Sequence, residues 1–201
     1  MINSNEDLYF LIYDVETTGL NKSEDRICEI SWVVMDNIGK AVEYESQLIY
    51  PQRDIPHEAT LIHGIRNVDV LGKPTFEEFI PKWMDIFQKY DPMVCGFNNE
   101  RFDDQIMENE FRRLDINMDI RGMRGVDVYK LYTKLKPRDL HQAALDFLGE
   151  EKLETLKERF HDIAGDRDKE DPWHSSLFDV MVTSAVMVQM FRKHQDEIPQ
   201  Q

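Results

Sequence analysis

The alternation of apolar and polar residues along the chain predicts a sheet that begins with three consecutive strands. Leu8 to Tyr13 are continuously apolar or aromatic, which is typical of a strand buried on both faces. Ile27 to Met35 predicts a second strand and Ala41 to Tyr50 a third, and DNIGK at 36–40 predicts a hairpin turn between them. Because no helix follows the first strand, this opening favours an α/β or α+β nuclease sheet over a dinucleotide-binding fold.

Helical spacing and capping residues account for most of the remaining chain. Thr75 and Glu78 fit a capping box that opens a helix running to about Lys89, which Pro81 would kink or shift. Two short strands are predicted at 93–97 and 125–128. Further helices are predicted at 56–62, 101–114, 129–135, 140–148, 153–163 and 175–193.

The first strand ends in two acidic residues, Asp14 and Glu16, with only Val15 between them. Strand side chains alternate between faces, so the two carboxylates lie on the same side, about 7 Å apart. Such a pair is costly in a central strand unless positive charge lies between the acids, and hard ions such as magnesium prefer carboxylate oxygens. Taken alone, the pair also fits an ordinary strand end with two solvated acids.

Two later segments complete a pattern with this pair. GFNNERFDD at 96–104 joins a strand end to a helix start, and HSSLFD at 174–179 has an HxxxxD spacing. With Asp14-Val15-Glu16, these segments resemble the three exonuclease motifs of the DEDD superfamily, the DnaQ-like 3′-to-5′ exonucleases. The histidine spacing is similar to that of the DEDDh branch, and GFNNERFDD is similar to the matching stretch of bacterial exonuclease I. The resemblance extends from about Tyr9 to Lys193.

The resemblance implies an α/β fold of the RNase H-like kind, with a mixed five-stranded sheet flanked by helices and its first three strands antiparallel. It also implies a single DEDDh exonuclease domain over residues 1–201, with a core at about 8–193. The strands predicted from the hydrophobic pattern agree with this fold independently.

Carried over residue by residue, the resemblance implies a site for two magnesium ions, for which manganese would substitute. Asp14, Glu16 and Asp179 would hold one ion. Asp14 would bridge to the second ion, which Asp103 would help to hold. His174 would be the general base, since an imidazole with a pKa near 6.5 accepts a proton at neutral pH. On a continuous helix five residues turn about 500°, so His174 can face the same site as Asp179 only at or before the helix start.

The resemblance further implies substrate contacts at Thr17, Leu20 and Asn99. The chain after the first acids would meet the terminal nucleotide, with Leu20 placed against its base. Simple turn packing is the alternative for Thr17 and Leu20.

Three other polar residues are predicted to be structural. Asp104 would lie about 100° from Asp103 on a helix, which predicts that it faces solvent or a salt-bridge partner. His63 is predicted to organise a loop, with a substrate contact as the alternative. Asp127 is predicted to cap the helix that follows it.

The composition is that of a soluble, single-domain protein, with 201 residues, 41% hydrophobic and 31% charged. No apolar run approaches the roughly 20 residues of a membrane span, and the N-terminus lacks the pattern of a secretory signal. Cys28 and Cys95 lie far apart without zinc-site spacing, so both are predicted to be reduced thiols in a cytoplasmic protein.

The net charge of −15 argues at first against a nucleic-acid partner. The segment from Arg112 to Arg138, which we call the basic band, differs from the rest because it has eight basic and three acidic residues. It predicts either a face that binds phosphates or an ordinary solvated surface. Its basic residues are Arg112, Arg113, Arg121, Arg124, Lys130, Lys134, Lys136 and Arg138.

The function implied by the resemblance is a metal-dependent 3′-to-5′ exonuclease that releases nucleoside 5′-monophosphates from single-stranded nucleic acid, DNA in preference to RNA. Three alternatives stay open: an exoribonuclease of the RNase T or oligoribonuclease type, a polymerase-associated proofreading exonuclease, and a catalytically silent member that binds nucleic acid. Protein partners and oligomeric state are not indicated by the sequence.

Overall fold

The computed structural model describes residues 8–120, 122–123, 125–133, 139–164 and 172–194. Its centre is a five-stranded sheet in the order β3-β2-β1-β4-β5. The first three strands pair antiparallel, whereas β4 and β5 run parallel to β1. This confirms the predicted mixed sheet. The strands are β1 (Tyr9–Thr17), β2 (Ile27–Asp36), β3 (Ala41–Leu48), β4 (Met93–Gly96) and β5 (Gly125–Asp127).

Eight helices are present in the described part of the chain, and most lie within a few residues of their predicted positions. The capping box at Thr75 and Glu78 is confirmed, and the third helix continues through Pro81 without a shifted start. The second helix was not predicted, and the seventh begins four residues before the predicted Leu153. The helices are α1 (His57–His63), α2 (Asn67–Val70), α3 (Phe76–Tyr90), α4 (Asp103–Arg113), α5 (Val128–Thr133), α6 (Leu140–Phe147), α7 (Gly149–Ala164) and α8 (Ser176–His194), with a short 3-10 turn at Asn99–Arg101.

One face of the sheet, the α3/α4 face, is covered by α3 and α4. Alternate residues of β1 and β2 point to it and are fully buried among aromatic side chains of α3. At its centre the rings of Trp32 and Trp83 meet edge to face, with their centroids 6.4 Å apart. Burial of this kind supplies most of the folding free energy of a small domain.

The opposite face, the α8 face, is covered by α8 with α5, α6 and α7 around it. Ile12 of β1 and Val33 of β2 pack there against Phe178 and Val182 of α8. The helix α8 therefore fills the apolar half of this face and brings its first turn to the end of β1 where the acids lie.

Two further expectations concern the cysteines and the membrane. Cys28 and Cys95 are both buried free thiols, and burial raises the pKa of Cys95 to about 12. Neither thiol is therefore a ready nucleophile at neutral pH. Within the described residues, no helix has the length and apolar character needed to cross a membrane.

Candidate active site at the end of the first strand

The site begins where two parallel strands part. β1 pairs with β4 only from Phe10 to Ile12, although it stays paired with β2 as far as Thr17. Asp14 and Glu16 lie in the part of β1 that has lost its β4 neighbour. Crevices of this kind, at the carboxyl ends of parallel strands, are where α/β sheets commonly bind ligands.

Asp103 closes this crevice from the other side. It is the first residue of α4, which follows β4 after the short 3-10 turn. The Val15 amide donates a hydrogen bond to Asp103 Oδ1 at 3.2 Å, across 88 residues of sequence. Asp103 is buried, and burial is the main reason that its pKa is raised to about 7. Hydrogen bonds from backbone amides lower this pKa, whereas Asp104 and Asp127 raise it.

Asp179 and His174 lie at the start of α8. Asp179 is in the first turn of that helix. His174 lies two residues before the helix begins at Ser176, in a left-handed conformation with φ of 62°. The structure thus confirms the condition that His174 must precede the helix start. Its side chain is exposed, as access to a substrate water requires.

Asp14 is the electrostatic centre of the group. Its pKa is raised well above the ordinary value, and the largest cause is loss of hydration around the carboxyl. The next causes are the negative charges of four neighbouring carboxylates, in the order Asp103, Asp179, Glu16 and Glu29. The structure therefore brings the other three predicted carboxylates within electrostatic range of Asp14, together with a fourth, Glu29, that was not predicted.

The donor set can be compared with what a metal ion needs. Among the residues that the structure describes, no three His, Cys, Asp or Glu side chains are grouped as a formed metal site. The chemistry of the donors nevertheless fits a hard divalent cation, because carboxylate oxygens are its preferred ligands. The leading charge effects on the Asp14 pKa all come from acids, so a cation in this crevice would relieve the repulsion between them.

The prediction for Asp104 is wrong. Its side chain is buried, with 3% exposure, and it forms no ion pair with any residue that the structure describes. Tyr13 Oη donates to Asp104 Oδ1 at 2.5 Å, and Asn99 Nδ2 donates to the same oxygen at 3.0 Å. Helical spacing correctly turns Asp104 away from Asp103, but the sheet lies on that side. Asp104 thereby ties α4 to β1.

The three predicted substrate contacts lie in different surroundings. Leu20 is 79% exposed in the loop after β1. Thr17 is buried, and its hydroxyl donates to the Gly19 carbonyl at 2.6 Å. Asn99 is buried beside Asp104. The structure contains no substrate, so these contacts stay predictions.

His63 organises the loop after β1, as predicted. The Ile65 amide donates to His63 Nδ1 at 3.1 Å, so that nitrogen carries no proton. Nε2 then carries it and donates to the Thr17 carbonyl at 3.2 Å. This contact fixes the backbone directly after the two acids of β1.

Asp127 is also placed as predicted, with one addition. Its Oδ1 accepts from the Tyr129 amide at 3.0 Å, which caps the start of α5. The same oxygen accepts from the Asn98 amide at 2.9 Å. Asp127 therefore also holds the turn that leads to Asp103.

Glu29 was missed by the sequence reasoning. It lies directly opposite Glu16 in the β1–β2 pairing and is buried, with 3% exposure. A signal was available in ICEISWVVM, because Glu29 and Ser31 alternate with Ile30 and Trp32. That alternation indicates one polar face in an otherwise apolar strand.

Five of the eight basic residues of the basic band lie outside the described residues. Arg112, Arg113 and Lys130 are described, and the last two form ion pairs with Glu110 and Glu100. The remaining basic residues fall outside the described ranges or have no described side chain: Arg121, Arg124, Lys134, Lys136 and Arg138. The band stays a prediction.

Comparison with known proteins gives a consistent result. The RNase T model, described as an exonuclease, matches residues 11–187. The DNA polymerase III PolC-type protein of Caldanaerobacter subterraneus subsp. tengcongensis is 27% identical over 187 residues, which is 93% of this chain and 12% of that protein. Exodeoxyribonuclease I of Buchnera aphidicola is 35% identical over 123 residues, or 58% of this chain and 25% of that protein.

A solved structure shows the same fold. E. coli exonuclease I, in its zinc-bound complex with single-stranded DNA, matches with a TM-score of 0.69 and 21% identity, covering 94% of this chain and 42% of that one. The chain spans less than half the length of this structure and of the curated relatives described above.

Proposed function

Since this chain belongs to the RNase T exonuclease family, we propose that it is a metal-dependent 3′-to-5′ exonuclease that hydrolyses single-stranded DNA to nucleoside 5′-monophosphates. The observation that carries the proposal is the acidic crevice, where the charges of Asp103, Asp179 and Glu16 all raise the pKa of Asp14. A site that concentrates carboxylates in this way is suited to cations and, through them, to phosphates.

Asp14, Glu16, Asp103 and Asp179 are the residues that we assign to hold two Mg²⁺ ions. When bound, the ions would neutralise phosphate charge and stabilise the attacking and leaving oxygens of the phosphodiester. The carboxylates themselves come from three separate elements, β1, α4 and α8. Their spacing therefore depends on how α4 and α8 pack against the sheet.

His174 is the proposed general base. One of its ring nitrogens would accept a proton from the attacking water while the water oxygen bonds to phosphorus. The bond from phosphorus to the 3′ oxygen would break, and that oxygen would take up a proton from solvent to become the new 3′ hydroxyl of the shortened strand. Its position supports this role, because an exposed imidazole just before α8 can reach a solvent-accessible phosphate. Its chemistry supports the role as well, since imidazole exchanges protons near neutral pH.

The terminal nucleotide would lie against the loop that follows β1. Leu20 presents a large apolar side chain to solvent, which suits contact with a base. Thr17 has its carbonyl held by His63, so the backbone beside it is fixed before substrate binds. Asn99 is a further proposed contact, in the 3-10 turn just before α4, where its side-chain amide donates to Asp104 beside Asp103 in the chain.

Of the three alternatives, one has a specific observation in its favour and one has a specific observation against it. A proofreading role is favoured by the likeness to the PolC-type polymerase, which covers 93% of this chain. A catalytically silent member is disfavoured because all four acids and His174 are present. An exoribonuclease is separated from the proposal only by substrate choice.

The test is an assay with 5′-labelled DNA and RNA single strands of equal length and sequence, each with Mg²⁺, Mn²⁺ or EDTA. We expect progressive shortening of DNA from the 3′ end with either metal, release of nucleoside 5′-monophosphates, and no reaction in EDTA. A purified Asp14→Asn protein is the control for contaminating nucleases.

Each other outcome identifies one alternative. Faster shortening of RNA than of DNA would replace the proposal by an exoribonuclease. Binding of both strands without cleavage under every metal condition would indicate the silent member.

A further inference from the structure

A second layer of polar side chains lies behind the acids of β1, on the same α8 face. Glu29 and Ser31 of β2 are directly opposite Glu16 and Asp14 in the antiparallel pairing. Residues paired in this way project to the same side of a sheet. Both Glu29 and Ser31 are buried, so this layer is enclosed by α8 and not by solvent.

The Glu29 carboxylate makes a hydrogen bond with each of its oxygens. Ser46 of β3 donates its hydroxyl to Oε1 at 2.8 Å. Ser176, the first residue of α8, donates its hydroxyl to Oε2 at 2.8 Å. One buried carboxylate therefore links the edge strand β3 to the helix that carries Asp179.

The direction of these hydrogen bonds extends the link to β2. Ser31 Oγ and Ser176 Oγ lie 2.7 Å apart. Because Ser176 donates its single hydroxyl proton to Glu29, the hydrogen bond between the two serines is donated by Ser31 and accepted by Ser176. The start of α8 is thus held by two consecutive hydrogen bonds to β2.

This arrangement has an electrostatic cost. A buried carboxylate is expensive to desolvate, and the charge of Glu29 further raises the pKa of Asp14. A fold that only needed to pack α8 against β2 would use apolar residues, as it does further along the same face at Val33 and Val182. Hydrogen bonds differ from apolar packing because they fix direction and register.

We infer that Glu29 is a positioning residue, which fixes the first turn of α8 through Ser176 so that Asp179 and His174 meet the acids of β1. The inference rests on the proposed function. Ser176 is two residues after His174 and three before Asp179. A small rotation of the first turn would therefore displace both side chains, and metal sites depend strongly on residues that orient their ligands.

The structure offers a matched pair of variants. Ser176→Ala and Ser46→Ala each remove one hydroxyl that donates to the same carboxylate at the same distance. Only Ser176 belongs to α8. Ser176→Ala also removes the acceptor of the Ser31 hydroxyl, so it should lose more thermal stability than Ser46→Ala. If Glu29 acts on the site through the helix start, the two variants should also differ in function when both are measured well below their melting temperatures.

We would measure kcat and KM on single-stranded DNA, and independently titrate Mn²⁺ into the metal-free proteins by calorimetry. Ser176→Ala should lower kcat and weaken Mn²⁺ binding by about 10- to 100-fold, the range seen when residues behind metal ligands are removed. KM should change much less. Ser46→Ala should change each quantity by less than about threefold.

Glu29→Gln separates position from charge. An amide can still accept from one serine and donate to the other, because hydroxyl protons rotate. Glu29→Gln should therefore lose less kcat than Ser176→Ala. A loss as large as that of Ser176→Ala would mean that the charge of Glu29, and not the placement of α8, is what matters, and would overturn the inference.

Equal effects of Ser176→Ala and Ser46→Ala on kcat and on Mn²⁺ binding would also overturn it, by showing that the network serves stability alone. Failure of the proposed function has a different signature, since the wild-type protein would then cleave neither DNA nor RNA. In that case the Mn²⁺ titrations of the same variants still decide whether Ser176 places the acids.

Discussion

On the α3/α4 face of the sheet, β1 presents Leu11, Tyr13 and Val15, all buried. On the α8 face the same strand presents Ile12, then Asp14 and Glu16. The first face is apolar at all three positions, and aromatic rings from β2 and α3 pack on it. On the α8 face the strand changes from an apolar side chain at Ile12 to an acidic one at Asp14, two residues later.

This difference indicates a division of labour between the two faces. Mutual repulsion among acids destabilises the metal-free protein, so the free energy of folding must come from elsewhere. The α3/α4 face is well placed to supply it, because its packing continues beneath the acids at Tyr13 and Val15. Changes on the α8 face should therefore affect chemistry first, and changes on the α3/α4 face should affect stability first.

The largest effect is expected from removing the central acid. Asp14→Asn keeps the shape of the side chain but removes the charge at the centre of the acidic group. Since loss of several kcal/mol of transition-state stabilisation corresponds to about 10³-fold or more in rate, nuclease turnover should fall at least that far. Turnover is measured with labelled single-stranded DNA in Mg²⁺, and folding by thermal melting.

The control is Glu45→Gln. Glu45 is a partly exposed residue of the edge strand β3, and its carboxylate forms an ion pair with Lys82. It should leave turnover unchanged. A purified Asp14→Asn protein with normal turnover would show that the acidic crevice is not the site of hydrolysis.

Next in size is the loss of the proposed base. His174→Ala should lower turnover by about 10²- to 10⁴-fold, the usual contribution of a general base. Substrate affinity measured in Ca²⁺ should change much less, because His174 is assigned to the water and not to the strand. The exposed His57, at the start of α1, provides a matched histidine-to-alanine control.

Loss of affinity with normal turnover at saturating substrate would reassign His174 as a substrate contact. The two faces would still differ, but the proton acceptor would have to be sought elsewhere.

On the α3/α4 face, Trp83→Ala should act in the opposite way. Trp83 is fully buried and contacts the rings of Tyr13, Trp32 and Phe79. Its removal should lower the free energy of unfolding by about 3–5 kcal/mol, as for other large-to-small changes in a core. Turnover per folded molecule should be largely kept below the lowered melting temperature.

Met84 follows Trp83 on α3 and is 45% exposed. Met84→Ala should change the free energy of unfolding by no more than about 0.5 kcal/mol. A loss of chemistry in Trp83→Ala well below its melting temperature would show that the two faces are not separable.

The smallest effect concerns pH. Because the pKa of Asp103 is raised to about 7, the folded state favours its protonated form relative to the unfolded chain, where the pKa is near 3.9. The stability that this group contributes is therefore present at low pH and is lost as the pH rises from about 4 through about 7.

Asp103→Asn removes that penalty while its side-chain oxygen can still accept from the Val15 amide. In EDTA at pH 8 the variant should gain at most about 4 kcal/mol in free energy of unfolding, and the gain should vanish near pH 4. Urea unfolding at several pH values measures it, with the exposed Asp85→Asn as a control that gains nothing. A gain independent of pH would show that the cost of ionising the buried Asp103 is not its cause.

Much of the fold could be predicted from the sequence because the signals are local. The apolar run of β1, the hairpin after β2 and the capping box at Thr75 each specify an element within a few residues. The same holds for the acid pair, since alternation in a strand places Asp14 and Glu16 on one face whatever packs against it. Helix geometry also set a condition on His174: if it faces the same site as Asp179, as the family resemblance implies, it must lie at or before the start of α8.

The sequence could not determine which residues of other elements pack against a given face of a strand or helix. Helical spacing predicts that Asp104 points away from Asp103. That this side chain is buried and accepts a hydrogen bond from Tyr13, 91 residues away, depends on how α4 packs against the sheet. Likewise, Glu29 reads as one polar residue in a strand until α8 brings Ser176 to it across 147 residues. Sequence periodicity predicts on which face of its own helix or strand a side chain lies. Which residue hydrogen-bonds to a buried polar group depends on how that helix or strand packs against the others. For that reason the catalytic candidates were visible in the sequence, and the residues that hold them in place became visible only in the tertiary structure.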